Sequence, residues 1–109
     1  MVNATEAAVE AEKAVGAIGV YACKHDSSTY EIAFPEGDVY CCRFSTDDCK
    51  DNEEDPDSPE YEEWYALDFK IVEIVKDGPN RDPRFEYIVL SRKHMPSAVT
   101  CDGEVVYQA

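Results

Sequence analysis

Residues 30–44 read YEIAFPEGDVYCCRF, and this stretch indicates that the chain forms antiparallel strands. Two β-compatible segments, 30–34 and 39–44, flank the residues Pro-Glu-Gly-Asp at 35–38. Proline, glycine and aspartate are typical of tight turns, and the short separation suits a β-hairpin. The hairpin therefore implies an antiparallel sheet, and the neighbouring segments are expected to contribute further strands to it.

The second half of the chain predicts two more hairpins. Residues 64–75 are rich in aromatic and β-branched side chains and predict a long strand, with a helix over 59–67 leading into a strand as the alternative. A second strand is expected at 85–92 after a turn at 77–80, so that these two strands form the central hairpin. A last small hairpin is expected around the Asp-Gly dipeptide at 102–103, which favours a type I′ turn.

Residues 4–18 predict an amphipathic helix. Asn3 can cap its first turn, and Glu6 follows three residues later as in a capping box. Small apolar residues recur at helical spacing, namely Ala4, Ala7, Ala8, Ala11, Ala14, Val15 and Ile18. Because glycine commonly terminates helices, we expect Gly16 and Gly19 to end this one.

The expected fold class is α+β, in two layers. The N-terminal helix packs on one face of a mainly antiparallel sheet of about five to seven strands, counting a short strand at 20–23. The length of 109 residues suits one domain, so residues 1–109 are expected to form a single domain.

Negative charge dominates the composition. The chain has 24 acidic and 10 basic residues and a net charge of −14, beyond the magnitude of about 2–8 that suits the solubility of a small domain. A halophilic origin, a cationic ligand or a cationic protein partner would each favour such a charge. Halophily fits poorly, because lysine outnumbers arginine and aromatic residues are plentiful. Direct nucleic-acid binding is disfavoured because it needs clustered Lys and Arg.

Acidity is concentrated between residues 47 and 63, where ten acids and a single lysine, Lys50, give a net charge of −9. Residues 45–60 are predicted to form a solvated, mobile loop. Carboxylates on alternate residues of an extended segment would lie ~6.6 Å apart, near the spacing of successive phosphates. A calcium-binding EF-hand is excluded because Asn52 occupies the position of the required glycine.

Three aromatic residues, Tyr61, Trp64 and Tyr65, adjoin these acids. Aromatic rings anchor protein interfaces and attract cations, so acids and rings together predict a surface for an Arg- and Lys-rich partner. Packing of Trp64 and Tyr65 in the core is the alternative. The candidate partner-binding residues are Asp47, Asp48, Asp51, Glu53, Glu54, Asp55, Asp57, Glu60, Tyr61, Glu62, Glu63 and Trp64.

The sequence contains no recognisable motif of catalysis or metal binding. The five cysteines are odd in number and form no C-x-x-C pair, which favours reduced thiols, no structural zinc and a cytoplasmic location. Acidic neighbours are expected to make Cys49 a poor nucleophile. Any Cys-His nucleophile pair in the chain would have to use His25 or His94. Without a Gly-rich phosphate loop or an apolar run of ~18 residues, neither a cofactor nor a membrane span is expected.

These features favour a non-enzymatic inhibitor that occupies the basic surface of a nucleic-acid-binding protein, as a nucleic-acid mimic. Phage-encoded anti-restriction and anti-CRISPR proteins are an analogous class, because small size, strong acidity and absence of catalytic motifs commonly meet there. An immunity protein or antitoxin that neutralises a basic toxin is the alternative hypothesis. A small enzyme or metal-dependent module of unknown chemistry is the third.

Overall fold

One helix and six antiparallel strands make up the residues that the computed structural model describes, 4–81 and 86–109. The elements are α1 (Ala4–Lys24), β1 (Thr29–Ala33), β2 (Val39–Asp51), β3 (Glu63–Lys76), β4 (Tyr87–Ser91), β5 (Ala98–Cys101) and β6 (Glu104–Gln108). The strands form one sheet in the order β4-β3-β2-β1-β5-β6, and every neighbouring pair is antiparallel. The helix packs against this sheet around a shared apolar core, which confirms the expected two-layer α+β fold.

The β1–β2 hairpin lies at the centre of the sheet and confirms the pairing expected from the sequence. Tyr30 pairs with Cys42 and Ile32 pairs with Tyr40, and all four side chains are buried. Gly37 has a φ of 98° in the connecting turn, a left-handed conformation that favours glycine. The hairpin expected to be central, β3–β4, lies instead at one edge, because β1 pairs with β5 on its other side.

The helix extends to Lys24, so the expectation that Gly16 and Gly19 end it, with a strand at 20–23, is wrong. Gly19 lies where the helix crosses β3, and a Cβ atom there would be 2.7 Å from the hydroxyl oxygen of Tyr65. Glycine at this position therefore permits a close approach of helix and sheet.

The apolar stripe of the helix continues past its predicted end. Val15 and Ile18 are fully buried as expected, and Ala22 extends the buried face by one more turn. Ala7 is exposed, so the stripe narrows towards the start of the helix. The predicted cap, Asn3, lies outside the described residues.

The long strand expected at 64–75 is confirmed as β3, and the alternative helix over 59–67 is wrong. Leu67 and Phe69 are buried in the core that the sheet shares with the helix. Pairing of β3 with β4 confirms the second hairpin, while Phe85, predicted to open its second strand, lies outside the described residues.

The last hairpin, β5–β6, is also confirmed. Asp102 and Gly103 have φ values of 51° and 87°, and a type I′ turn requires positive φ at both of its central residues. Asp-Gly is among the few dipeptides that adopt this conformation readily, so the local sequence suffices to define the turn.

The segment at 45–60, predicted as a loop, is only partly a loop. β2 continues to Asp51 and pairs with β3 as far as Glu63, so residues 45–51 are strand. The beginning of β3, which is rich in aromatic and β-branched residues, pairs with residues 45–51. Hydrogen bonds between the two strands then satisfy the backbone N–H and C=O groups of this acidic segment, which would otherwise be hydrated. A bulge between Phe44 and Thr46 marks where this acidic extension begins.

Candidate acidic interface

The predicted partner-binding residues lie together in one projecting feature, which we call the acidic arm and define as residues 47–63. It comprises the end of β2, the loop at 52–62 and the first residue of β3. The two strands of the arm remain paired as far as Asp51 and Glu63, so the loop starts from a fixed base. Trp64 follows directly, paired with Lys50.

Asn52 closes the loop of the acidic arm at its base. Its backbone N–H donates to the carbonyl of Glu62 (3.1 Å), and its side-chain N–H donates to the carbonyl of Glu60 (2.7 Å). Its side-chain oxygen accepts from the N–H groups of Glu54 (3.2 Å) and Glu62 (3.3 Å). This role of Asn52 was not predicted, although asparagine at the start of a loop is a common source of such bonds.

Short turns order the rest of the loop. The carboxylate of Asp51 accepts from the N–H of Glu53 (2.8 Å), and that of Asp55 accepts from the N–H of Asp57 (3.0 Å). The N–H of Ser58 donates to the carbonyl of Asp55 at 2.8 Å. Each of these two carboxylates uses one oxygen for the local backbone, so the turns hold Asp51 and Asp55 in defined positions.

Nine of the ten carboxylates of the acidic arm are exposed, and only Glu62 is half-buried. The exposed acids are Asp47, Asp48, Asp51, Glu53, Glu54, Asp55, Asp57, Glu60 and Glu63. The single cation of the arm, Lys50, is half-buried. The result is a dense negative surface at one end of the sheet.

Glu62 differs from the other acids because cations of its own chain hold it. Arg92 lies 2.7 Å from one carboxylate oxygen and Lys93 lies 3.2 Å from the other. These contacts lower the pKa of Glu62 below its usual range. Arg92 also contacts Glu12 of the helix at 3.3 Å, so this cluster ties the base of the arm to the helix.

The aromatic residues beside the arm are engaged within the chain. The ammonium group of Lys93 lies 4.2 Å from the ring centroid of Trp64, so the cation–π contact expected with a partner is made by this chain itself. Tyr61 donates its hydroxyl to Glu63 (3.0 Å), and Tyr65 donates its hydroxyl to Asp47 (2.7 Å). All three rings are half-buried, and of the two for which core packing was the alternative, Tyr65 packs against the core.

The regular ladder of carboxylates expected on an extended segment does not form on β2. Side chains alternate along the strand, so Asp47, Cys49 and Asp51 lie on one face and Asp48 and Lys50 on the other. Cys49 therefore follows Asp47 on the first face, and Lys50 follows Asp48 on the second. The acids beyond Asp51 lie in the folded loop. Density of charge, and not regular spacing, is therefore the property that the arm offers.

The thiol of Cys49 is exposed within this field. Burial effects and the carboxylates of Glu63 and Asp48 raise its pKa, in agreement with the expectation of a poor nucleophile. Elsewhere, burial raises the pKa of Cys42 to about 12. The five thiols are unpaired, and within residues 4–81 and 86–109 no three His, Cys, Asp or Glu side chains are arranged to hold a metal ion.

A second polar cluster, at the opposite end of β2, was missed by the sequence analysis. Asp38 is buried and accepts hydrogen bonds from the hydroxyl of Tyr40 (2.6 Å) and from the backbone and side chain of Asn80 (3.0 Å and 2.9 Å). Burial alone would raise the pKa of Asp38, but these hydrogen bonds outweigh it and hold that pKa below its usual value. The cluster fixes two turns to each other.

The described part of the chain includes no helix long and apolar enough to cross a membrane. Comparison with protein families, with curated proteins and with solved structures finds no match for this chain. Its functional assignment therefore rests on its own surface, of which the acidic arm is the most distinctive part.

Proposed function

We propose that this protein is a non-enzymatic binding protein whose acidic arm occupies the basic, nucleic-acid-binding surface of another protein. One observation supports the proposal above all: nine exposed carboxylates are held on a hydrogen-bonded loop and strand end, with Lys50 as the only cation among them. A surface of this kind attracts Lys- and Arg-rich sites over distances of about a Debye length, which is ~8 Å at physiological salt.

Concentration of the charge matters more than any single ion pair. Exposed pairs contribute roughly 0.2–1 kcal/mol each, so useful affinity requires several of them to act together. The turns made by Asp51, Asn52 and Asp55 order the loop before binding, which reduces the entropy lost when a partner is engaged. Surfaces that bind nucleic acid use clustered Lys and Arg to neutralise phosphates, and they are therefore the expected target.

Variants matched in charge test the proposal. In an arm variant, Asp51, Glu53, Glu54 and Asp57 are replaced by Asn or Gln, which keep the side-chain oxygens that accept backbone hydrogen bonds. In a control variant, four exposed acids outside the arm are replaced in the same way: Asp26, Glu31, Glu73 and Glu104. Both variants lose four negative charges, so they differ only in where the charge is removed.

Partners are captured from cell lysate on each protein and eluted with a salt gradient. The proposal expects nucleic-acid-binding proteins to be retained by the unaltered chain and by the control variant, and lost from the arm variant. Equal retention by all three proteins would contradict a role for the arm. A captured partner that binds nucleic acid and this protein at once would exclude mimicry and favour the immunity-protein hypothesis.

A further inference from the structure

A groove of about 680 Å³ runs from Lys50, at the base of the acidic arm, to β4 and the turn that follows it. Its lining combines strand and loop residues: Ser45, Lys50, Asp68, Asn80, Tyr87, Val89 and His94. The volume falls in the range of ~300–1,000 Å³ that is typical of small-molecule sites. A few polar groups in a partly apolar setting are also typical of such sites.

Asp68 contributes a carboxylate to the lining of this groove. It lies between Leu67 and Phe69, which face the core, so its side chain projects from the opposite face of the sheet. One of its carboxylate oxygens, Oδ1, is buried and has no hydrogen-bond partner. A buried polar atom without a partner is unfavourable, and such atoms are rare in folded proteins. A cationic donor in the groove would pair with the accessible part of this incompletely satisfied carboxylate.

Lys50 is the cation of the same groove. No hydrogen bond or ion pair joins its ammonium group to Asp68, or to any other side chain in the described part of the chain. Two opposite charges therefore line one cavity without meeting each other. A ligand that carries a cation at one end and an anion at the other would pair with both.

The remaining walls are apolar or fixed in place. Tyr87 is 43% exposed and offers a ring surface beside Val89. The two ring nitrogens of His94 lie 2.7 Å from the carbonyl of Val89 and 2.7 Å from the side-chain oxygen of Asn80, and the ring stacks on Phe34 at 4.8 Å. This end of the groove is thus formed before any ligand arrives, which favours binding.

We propose that the groove binds a small zwitterion of the amino-acid or dipeptide class. Its ammonium group donates to Asp68, its carboxylate pairs with Lys50, and its apolar portion lies against Tyr87 and Val89. This site goes beyond the proposed function and does not depend on it, because it uses none of the exposed acids of the arm.

Three matched probes test the ligand class on the full chain. Phenylalanyl-glycine carries both charges, its N-acetyl form lacks the ammonium, and its C-terminal amide lacks the carboxylate. Titration is followed by amide chemical shifts. We expect the zwitterion to give saturable shifts at Asp68, Val89 and Lys50, and each capped form to bind at least about tenfold more weakly, because each loses one charge-assisted hydrogen bond.

Variants locate the site. Asp68→Asn and Lys50→Met should each weaken binding of the zwitterion by about tenfold, while Glu104→Gln, an exposed acid on β6 at the other edge of the sheet, should leave its affinity unchanged. Amide spectra of the unliganded variants check that each remains folded. Absence of saturable shifts up to about 10 mM, equal binding of the capped forms, or binding unaffected by both groove substitutions would overturn the proposal.

Discussion

The side-chain amide of Asn52 donates a hydrogen bond to the backbone carbonyl of Glu60 at 2.7 Å, across the mouth of the acidic loop. Eight residues separate the two, so this contact closes the loop on itself. The same asparagine accepts from the N–H of Glu54 and of Glu62. Asn52, which carries no charge, thereby stabilises the conformation of a loop whose carboxylates repel one another.

We expect Asn52→Ala to loosen the acidic loop without unfolding the sheet. The amide of Glu62 loses its acceptor, and its hydrogen exchange should accelerate by about tenfold. In Asn52→Asp the acceptor is kept but the donor to Glu60 is lost, so an intermediate acceleration is expected. Unchanged exchange at Glu62 in Asn52→Ala would show that the loop is ordered by other contacts.

Substitutions at two glycines of the helix should have opposite effects on stability. Gly16→Ala adds a Cβ with nothing within 4 Å and should raise the free energy of unfolding by about 0.5–1 kcal/mol. Gly19→Ala places a Cβ 2.7 Å from the Tyr65 hydroxyl and 3.1 Å from Leu67, so we expect a loss of about 1–2 kcal/mol despite the better helix propensity.

Denaturant unfolding of both variants measures the difference. A stabilised Gly19→Ala variant would show that Tyr65 moves aside freely, and that the close approach of helix and sheet at this point is not required.

The free energy of unfolding should decrease at acidic pH, partly because Asp38 becomes protonated. Because its folded pKa is below the ordinary value of about 3.9, the unfolded chain binds a proton more readily, and the stability that Asp38 contributes is lost as pH falls below about 4. Asp38→Asn should therefore be less stable than the unaltered protein near neutral pH. The gap between the two should narrow as pH falls from about 6 to about 2.

Unfolding curves at several pH values provide the measurement. Protonation of the many other carboxylates affects both proteins alike, so their difference isolates Asp38. If the difference in the free energy of unfolding between the two proteins stays constant over this pH range, the lowered pKa of Asp38 is contradicted.

Features defined by neighbouring residues were predictable from the sequence. The turns at 35–38 and 102–103 use residue types that few other conformations accept, and the long apolar alternation of β3 distinguishes it from a helix. Features that depend on residues distant in the sequence were not predictable from it. The role of Gly19 depends on Tyr65, which is far away in the sequence, and the strand character of 45–51 depends on a partner strand.

The same distinction applies to the candidate site. The concentration of acids could be read from the sequence, because charge needs no fold to be counted. The sequence could not reveal that Lys93 covers Trp64 or that Arg92 and Lys93 pair with Glu62, since these contacts join the arm to the turn after β4. The groove around Asp68 was likewise hidden, because four separate segments line it.

In the proposed function, the acidic arm and nucleic acid compete for one surface of the partner. The most direct test of this proposal is a gel-shift competition with a partner captured by this protein, its nucleic acid, and either the arm variant or the charge-matched control variant. We predict that the unaltered chain and the control variant displace the nucleic acid, that excess nucleic acid displaces them in turn, and that the arm variant fails to compete. Equal competition by the arm and control variants, or a ternary complex of all three components, would contradict the account.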